Sequence, residues 1–217
     1  MDNPMDNYWQ LNLAELKQKL TKNGFDVTVV QSAEEAKRTV LDDLLPELSP
    51  KTVSWGGSMT LASTGLYDVL RESPDYETLD TWDKSLSNAE KNELRRQALL
   101  TDLFLTGTNA VTEDGHLVNL DMIGNRTGAI TFGPKNVIIF VSRNKLVPDL
   151  ERAMERIKEY VAPVNTMRLD MKTPCVKTGY CMDCDSPQRI CNVWTVTEKS
   201  FPKGRIKIIL INDDLGF

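Results

Sequence analysis

The densest concentration of reactive side chains is Cys175-x5-Cys181-x2-Cys184-x6-Cys191, which holds all four cysteines within 17 residues after 174 residues with none. Four thiolates can complete a tetrahedral zinc site or hold an iron–sulfur cluster. The x2 spacing puts Cys181 and Cys184 in one turn, and the longer spacers let Cys175 and Cys191 fold back around the same centre. Common ferredoxins use C-x2-C-x2-C-x3-C-P, so this spacing selects four-sulfur ligation without naming the metal. Lys172, Lys177 and Arg189 lie close enough to offset thiolate charge, and Gly179 lets the chain wrap. The competing reading, free or disulfide-paired thiols, is the weaker one in a chain expected to stay in a reducing compartment.

Three further segments carry candidate chemistry. Gly56-Gly57-Ser58, with Thr60 behind it, follows a short strand pattern and precedes a helical one. Its free backbone N–H groups and hydroxyls suit a phosphate or carboxylate, but a tight turn needing positive φ explains the glycines equally well. Asp114-Gly115 between apolar residues is a strong hairpin signal. A carboxylate held there, Glu113, is the candidate nucleophile or general base, though composition alone favours an ordinary turn. His116 is the only histidine, which excludes a multi-histidine metal site and reads as a hairpin residue. Asn125 and Arg126 sit among glycine and small polar residues, where the guanidinium fork could take an anionic ligand or pair with Asp121. We expect the glycine turn, Glu113 and Arg126 to face one cleft, because open α/β sheets bind ligands beyond the carboxyl ends of their strands.

The elements that must position these groups are legible in the periodicity. Leu13, Leu16 and Leu20 predict a helix from about residue 7 to 23, closed by Gly24, and residues 25–30 predict a strand. Ser32 with Glu35 opens a second helix, which Pro46 should end. Residues 52–55 form a brief strand, Leu61, Ala62, Leu66, Val69 and Leu70 mark a helical face, and residues 77–82 form a strand or connector. Ser87 with Glu90 caps a helix to about Leu100. From Asp102 to Phe132 the pattern is β-rich, including Ile130 to Phe132, and Val137 to Val141 reads as a strand buried on both faces. Leu150, Ala153, Met154, Ile157 and Val161 mark a helix that Pro163 should stop, and two strands joined through Pro202-Lys203-Gly204 close the chain. The alternation predicts an α/β fold, three-layer with a mostly parallel sheet, as one domain over residues 1–217 with the cysteine loop 173–192 as an elaboration.

Composition removes several classes. The chain of 217 residues is 41% hydrophobic and 26% charged, the balance of a globular protein. A net charge of -5 offers no basic field for nucleic acid. The N-terminal MDNPMDNYWQ lacks the positive start and apolar stretch of a signal peptide, and no apolar run approaches the ~20 residues of a membrane span. A cytoplasmic protein without membrane insertion is therefore expected.

Phe104-Leu105-Thr106-Gly107-Thr108-Asn109-Ala110-Val111-Thr112-Glu113-Asp114-Gly115, with Gly124-Asn125-Arg126, Phe132-Gly133-Pro134-Lys135 and Thr173-Pro174-Cys175, resembles the LUD-domain family of lactate-utilisation proteins (LutC/YkgG-like), in a branch with a C-terminal four-cysteine motif. The resemblance runs from about Asn7 to Phe217 and implies a fold of the NagB/RpiA/CoA-transferase-like superfamily. Thr112-Glu113-Asp114-Gly115 is similar to the Ser-Glu-Asn-Gly segment that carries the glutamate of CoA transferases. The resemblance implies an accessory or electron-transfer component in lactate or related organic-acid utilisation, working with iron–sulfur oxidoreductase subunits on a small anionic metabolite. It favours an iron–sulfur cluster over zinc at the cysteines, since oxidising a hydroxy acid needs a redox route. Two alternatives stand beside it: an acyl/CoA transferase or sugar-phosphate isomerase-like enzyme using Glu113, and a small-ligand-binding protein with structural zinc. A homo-oligomer is compatible with each.

Overall fold

A computed structural model describes residues 4–217; the first three residues of the N-terminal stretch read above lie outside the described residues. Ten strands follow in chain order: β1 (Asp26–Val30), β2 (Thr52–Trp55), β3 (Glu77–Leu79), β4 (Leu103–Gly107), β5 (Ala110–Thr112), β6 (Leu117–Asp121), β7 (Asn136–Ser142), β8 (Leu146–Val147), β9 (Val193–Thr197) and β10 (Ile206–Ile211). Six of them form an all-parallel sheet in the order β1-β10-β7-β4-β2-β3, and the other four form a second sheet in the order β8-β5-β6-β9. The α/β fold with a mostly parallel main sheet is thus as the periodicity predicts.

The central strands are continuous apolar runs because both of their faces are covered. On one face the helix Pro4–Lys22 lays Leu13, Leu16 and Leu20 against Val137, Ile139 and Ile208. On the other, Val40, Leu61 and Leu66 from three helical segments meet Trp55, Ile138 and Phe140. Every residue of β10 is buried, as is every residue of β7 after Asn136.

Four local expectations are corrected. Pro46 and Pro163 do not end their helices. The helical path continues to Leu48 and to Arg168 through a widened turn placed just before each proline, Thr39–Leu44 and Ile157–Val161. There Leu45 N–H donates to Val40 O, and Ala162 N–H to Ile157 O, five residues back instead of four. The wider turn accommodates a residue that lacks an N–H and would otherwise crowd the preceding carbonyls. Ile130 is helical, in Asn125–Thr131, because Gly124 at φ +81° starts a helix and Asp121 Oδ2 accepts the Thr127 N–H at 2.9 Å. The last two strands are not partners: β9 pairs antiparallel with β6, whereas β10 inserts between β1 and β7. Their burial separates them, since β10 is wholly buried and no residue of β9 is.

Candidate functional site

The carboxyl ends of β2 and β4, the start of the β5–β6 hairpin and the turn after β7 surround a cleft of about 540 Å3. Gly57, Ser58, Asn125 and Arg126 line it together. Gly56 and Thr60 do not. Gly56 is buried with its N–H on Leu105 O at 2.9 Å, and Thr60 Oγ1 donates to Leu215 O at 3.1 Å. Neither Gly56 nor Gly57 has a positive φ, so the turn reading of these glycines is corrected. Close approach accounts for Gly56 instead: a Cβ there would lie 3.0 Å from the Phe104 ring and 3.2 Å from Arg126 Cγ. Gly107 at the end of β4 is tighter still, since its Cβ would fall 2.4 Å from Ser58 Oγ, which caps the helix Met59–Ser63 by accepting the Leu61 N–H.

Arg126 is buried, and protein acceptors take its guanidinium. Nε and Nη2 donate to Asp121 Oδ1 at 3.0 and 2.7 Å. Nη1 donates to Gly107 O at 2.9 Å and to Asn119 Oδ1 at 2.5 Å, and Nη2 also reaches Asn109 Oδ1 at 2.8 Å. Of the two sequence readings, the pair with Asp121 is therefore the one realised. Arg126 ties the end of β4, the Thr108-Asn109 link and the end of β6 into one wall. An arginine suits this post because its planar fork presents five donors at fixed angles, and a buried charge is tolerated only when paired and hydrogen-bonded. Asn119 Nδ2 and Thr106 Oγ1 beside this network are buried without a partner.

Sequence reasoning missed Lys145. It ends the helical turn Arg143–Lys145 after β7, is only 4% exposed, and lines the cleft. Its Nζ donates to Thr108 O at 3.0 Å, and among the described residues no carboxylate pairs with it. Burial, reinforced by the nearby Arg156 and Arg126 charges, lowers its pKa from 10.5 to about 7. Arg156 itself donates to Asn109 O and Asn144 O, and burial lowers its pKa. Arg95 and Arg168 add positive charge to the cleft lining, while Tyr67 and Trp82, stacked edge-on with centroids 4.7 Å apart, form an aromatic wall. The single signal in sequence was a lysine three residues beyond a buried central strand, where ligand-binding loops of parallel sheets collect.

Glu113 is not with this group. The hairpin carries Asn109 and Asp121 at the cleft end and turns at the other, where Gly115 adopts φ +79° and Asn23 Nδ2 donates to Asp114 O at 2.9 Å. Glu113 is exposed there, its N–H on Val147 O at 2.9 Å. His116 is half-buried in the same turn region.

The four cysteines line one small hollow beside the cleft, and Ile190 belongs to both linings. None is in a disulfide. The thiols surround the hollow without being drawn together: among the described residues no three His, Cys, Asp or Glu side chains are gathered as metal ligands. Cys175 Sγ contacts Thr173 Oγ1 at 3.2 Å and Thr166 Oγ1 at 3.3 Å, and Cys181 Sγ accepts the Asp183 N–H at 3.4 Å. Hydrogen bonds from Lys158 and Arg189 hold the Asp183 carboxyl below its usual range, while burial pushes the Cys191 thiol up. No described helix is long and apolar enough to cross a membrane.

No curated protein matches the chain. Among solved structures it is similar to a DUF162-family protein from Deinococcus radiodurans, with a TM-score of 0.52 and 15% identity over 94% of this chain and 98% of that one, a likeness of fold. A D-ribose-5-phosphate isomerase in complex with phospho-erythronic acid aligns at a TM-score of 0.35 and 18% identity, over 64% of this chain and 67% of that one. The model of the LUD domain matches residues 13–211, which take in every strand of the main sheet, and the chain belongs to the LUD-domain family.

Proposed function

We propose that the chain is an accessory component of lactate or related organic-acid utilisation that holds a small anionic metabolite in the cleft, beside iron–sulfur oxidoreductase subunits. Family membership supports the tie to lactate utilisation only at the level of the family. The observation that carries the reading of the site is Lys145: a buried amine lining the cleft with a backbone carbonyl as its hydrogen-bond acceptor and, among the described residues, no carboxylate to balance its charge. Asp121, the carboxylate in the lining, is already taken by Arg126. Lys145, Arg95 and Arg168 therefore leave the cleft short of negative charge, and a carboxylate or phosphate would supply it. Asn125 and Ser58 offer neutral polar groups to the same ligand, while Arg126 acts as a positioning residue behind them.

The test is calorimetric titration of L-lactate and, separately, inorganic phosphate into the protein and into Lys145→Met at pH 6.5. Loss of a charge-assisted hydrogen bond, about 1.5–3 kcal/mol, should weaken the bound anion at least ~10-fold in the variant with its circular dichroism unchanged. Equal affinity in the two proteins, or no binding of either anion, would overturn the reading.

A further inference from the structure

The cysteine segment has features that a solvent-exposed loop does not need. Between the single turn Cys175–Thr178 and β9 it has no regular structure, yet its four thiols face one hollow of about 20 Å3. A site of that size holds about one water-sized sphere. Within the Cys181-Met182-Asp183-Cys184 turn, Asp183 takes a left-handed backbone at φ +45°, and its N–H donates to Cys181 Sγ at 3.4 Å. The Thr166 and Thr173 hydroxyls contact Cys175 Sγ at 3.3 and 3.2 Å. Arg189 draws the two ends of the segment together, donating from Nη1 to Cys184 O at 2.6 Å and from Nε to Cys191 O at 3.0 Å. Its Nη2 and Lys158 Nζ both reach Asp183 Oδ1, at 2.8 and 2.9 Å. With the Asp183 carboxylate between them, the two cations leave one net positive charge beside the four sulfurs, which offsets part of the double negative charge of four thiolates around a divalent ion.

We propose that Cys175, Cys181, Cys184 and Cys191 bind one soft divalent ion, zinc or ferrous iron, as a tetrathiolate, and that the ion fixes the Ile190 wall of the neighbouring cleft. Each thiol that coordinates gives up its proton, so binding releases protons to solvent and involves no electron transfer. The thiols must move inward, and the irregular chain from Gly179 to Asn192 permits that. Inward movement of the thiols closes a hollow that already takes about one water-sized sphere, which suits a single ion, and sulfide analysis separates it from a cluster. Ile190 carries the effect to the cleft because it is buried between the two, 7% exposed, one residue from Cys191. This inference does not depend on which anion the cleft takes.

Purification under anaerobic reducing conditions, followed by metal, acid-labile sulfide and thiol analysis, tests it directly. One zinc or one iron per chain without sulfide is expected, the two metals being told apart by elemental analysis. Chelator-stripped protein should take up one equivalent of cobalt with the strong near-ultraviolet sulfur-to-metal absorption of thiolate ligation, and each of the four Cys→Ser variants should weaken that band and the cobalt affinity. Hydrogen exchange across residues 173–192, including Ile190, should slow at least ~10-fold when zinc is returned. More than one iron with sulfide, no metal uptake, or native disulfides among these cysteines would overturn the tetrathiolate. Unchanged exchange at Ile190 with metal bound would overturn the coupling to the cleft.

Discussion

The wall around Arg126 and the hollow around the cysteines are assembled in opposite ways. Arg126 gathers groups from β4, β6 and the Thr108-Asn109 link, each at the end of a buried strand, and its acceptors are all in place within the protein. The cysteines come from a single short segment and stand half-exposed around their hollow, with hydroxyls on Cys175 and a backbone N–H on Cys181 in place of one another. The first site is built by the fold and would be lost with it. The second is built by local sequence and would be completed by what it binds. Such a division lets a ligand order one wall of a cleft while the others stay rigid.

The largest effect that would sharpen this contrast is at Arg126. Replacing it with Met leaves Asp121 buried without its partner, and loss of one member of a buried pair costs about 3–5 kcal/mol. Urea unfolding should show that loss, and adding Asp121→Asn should restore part of it by removing the stranded charge. A decrease under about 1 kcal/mol would break the view that this wall is pinned.

Lys145 should give an intermediate effect with a definite pH signature. Its folded pKa, about 7, lies below the unfolded value near 10.5. Between those values the unfolded chain holds a proton that the folded one does not, so stability rises with pH by up to about 1.4 kcal/mol per unit. Below pH 7 both states are protonated and the full penalty of a buried charge is present. The parent should therefore gain on Lys145→Met as pH is raised from 7 to 10, measured as the difference between their denaturant midpoints. Parallel pH profiles would show that the amine is not desolvated. A bound anion should favour the charged amine, so affinity for it should fall as pH rises above 7.

The smallest effect belongs to the cysteine segment without metal. Cys184→Ser in chelator-treated protein should change stability by less than about 0.5 kcal/mol, because Arg189 is held by the Cys184 backbone carbonyl and not by its thiol. A larger loss would mean that the thiols are already part of a formed core and that the two regions are not built differently after all.

The amino-acid sequence alone determined those features that depend on near neighbours. The apolar runs of β7 and β10, the leucine stripe of the first helix, the Asp114-Gly115 hairpin and the confinement of four thiols to one segment are set by residues a few positions apart. Periodicity and spacing encode them directly. The family resemblance likewise rested on contiguous motifs. The tertiary structure decided the rest. It spent Arg126 on Asp121, sent Glu113 to the far end of its hairpin, and separated β9 from β10 into different sheets. It also buried Lys145, which looks like any surface lysine in sequence, under Thr108 and beside Arg156 and Arg126. Whether a charged side chain is solvated, paired or stranded depends on groups tens of residues away, and a linear pattern carries no record of which strand ends will meet.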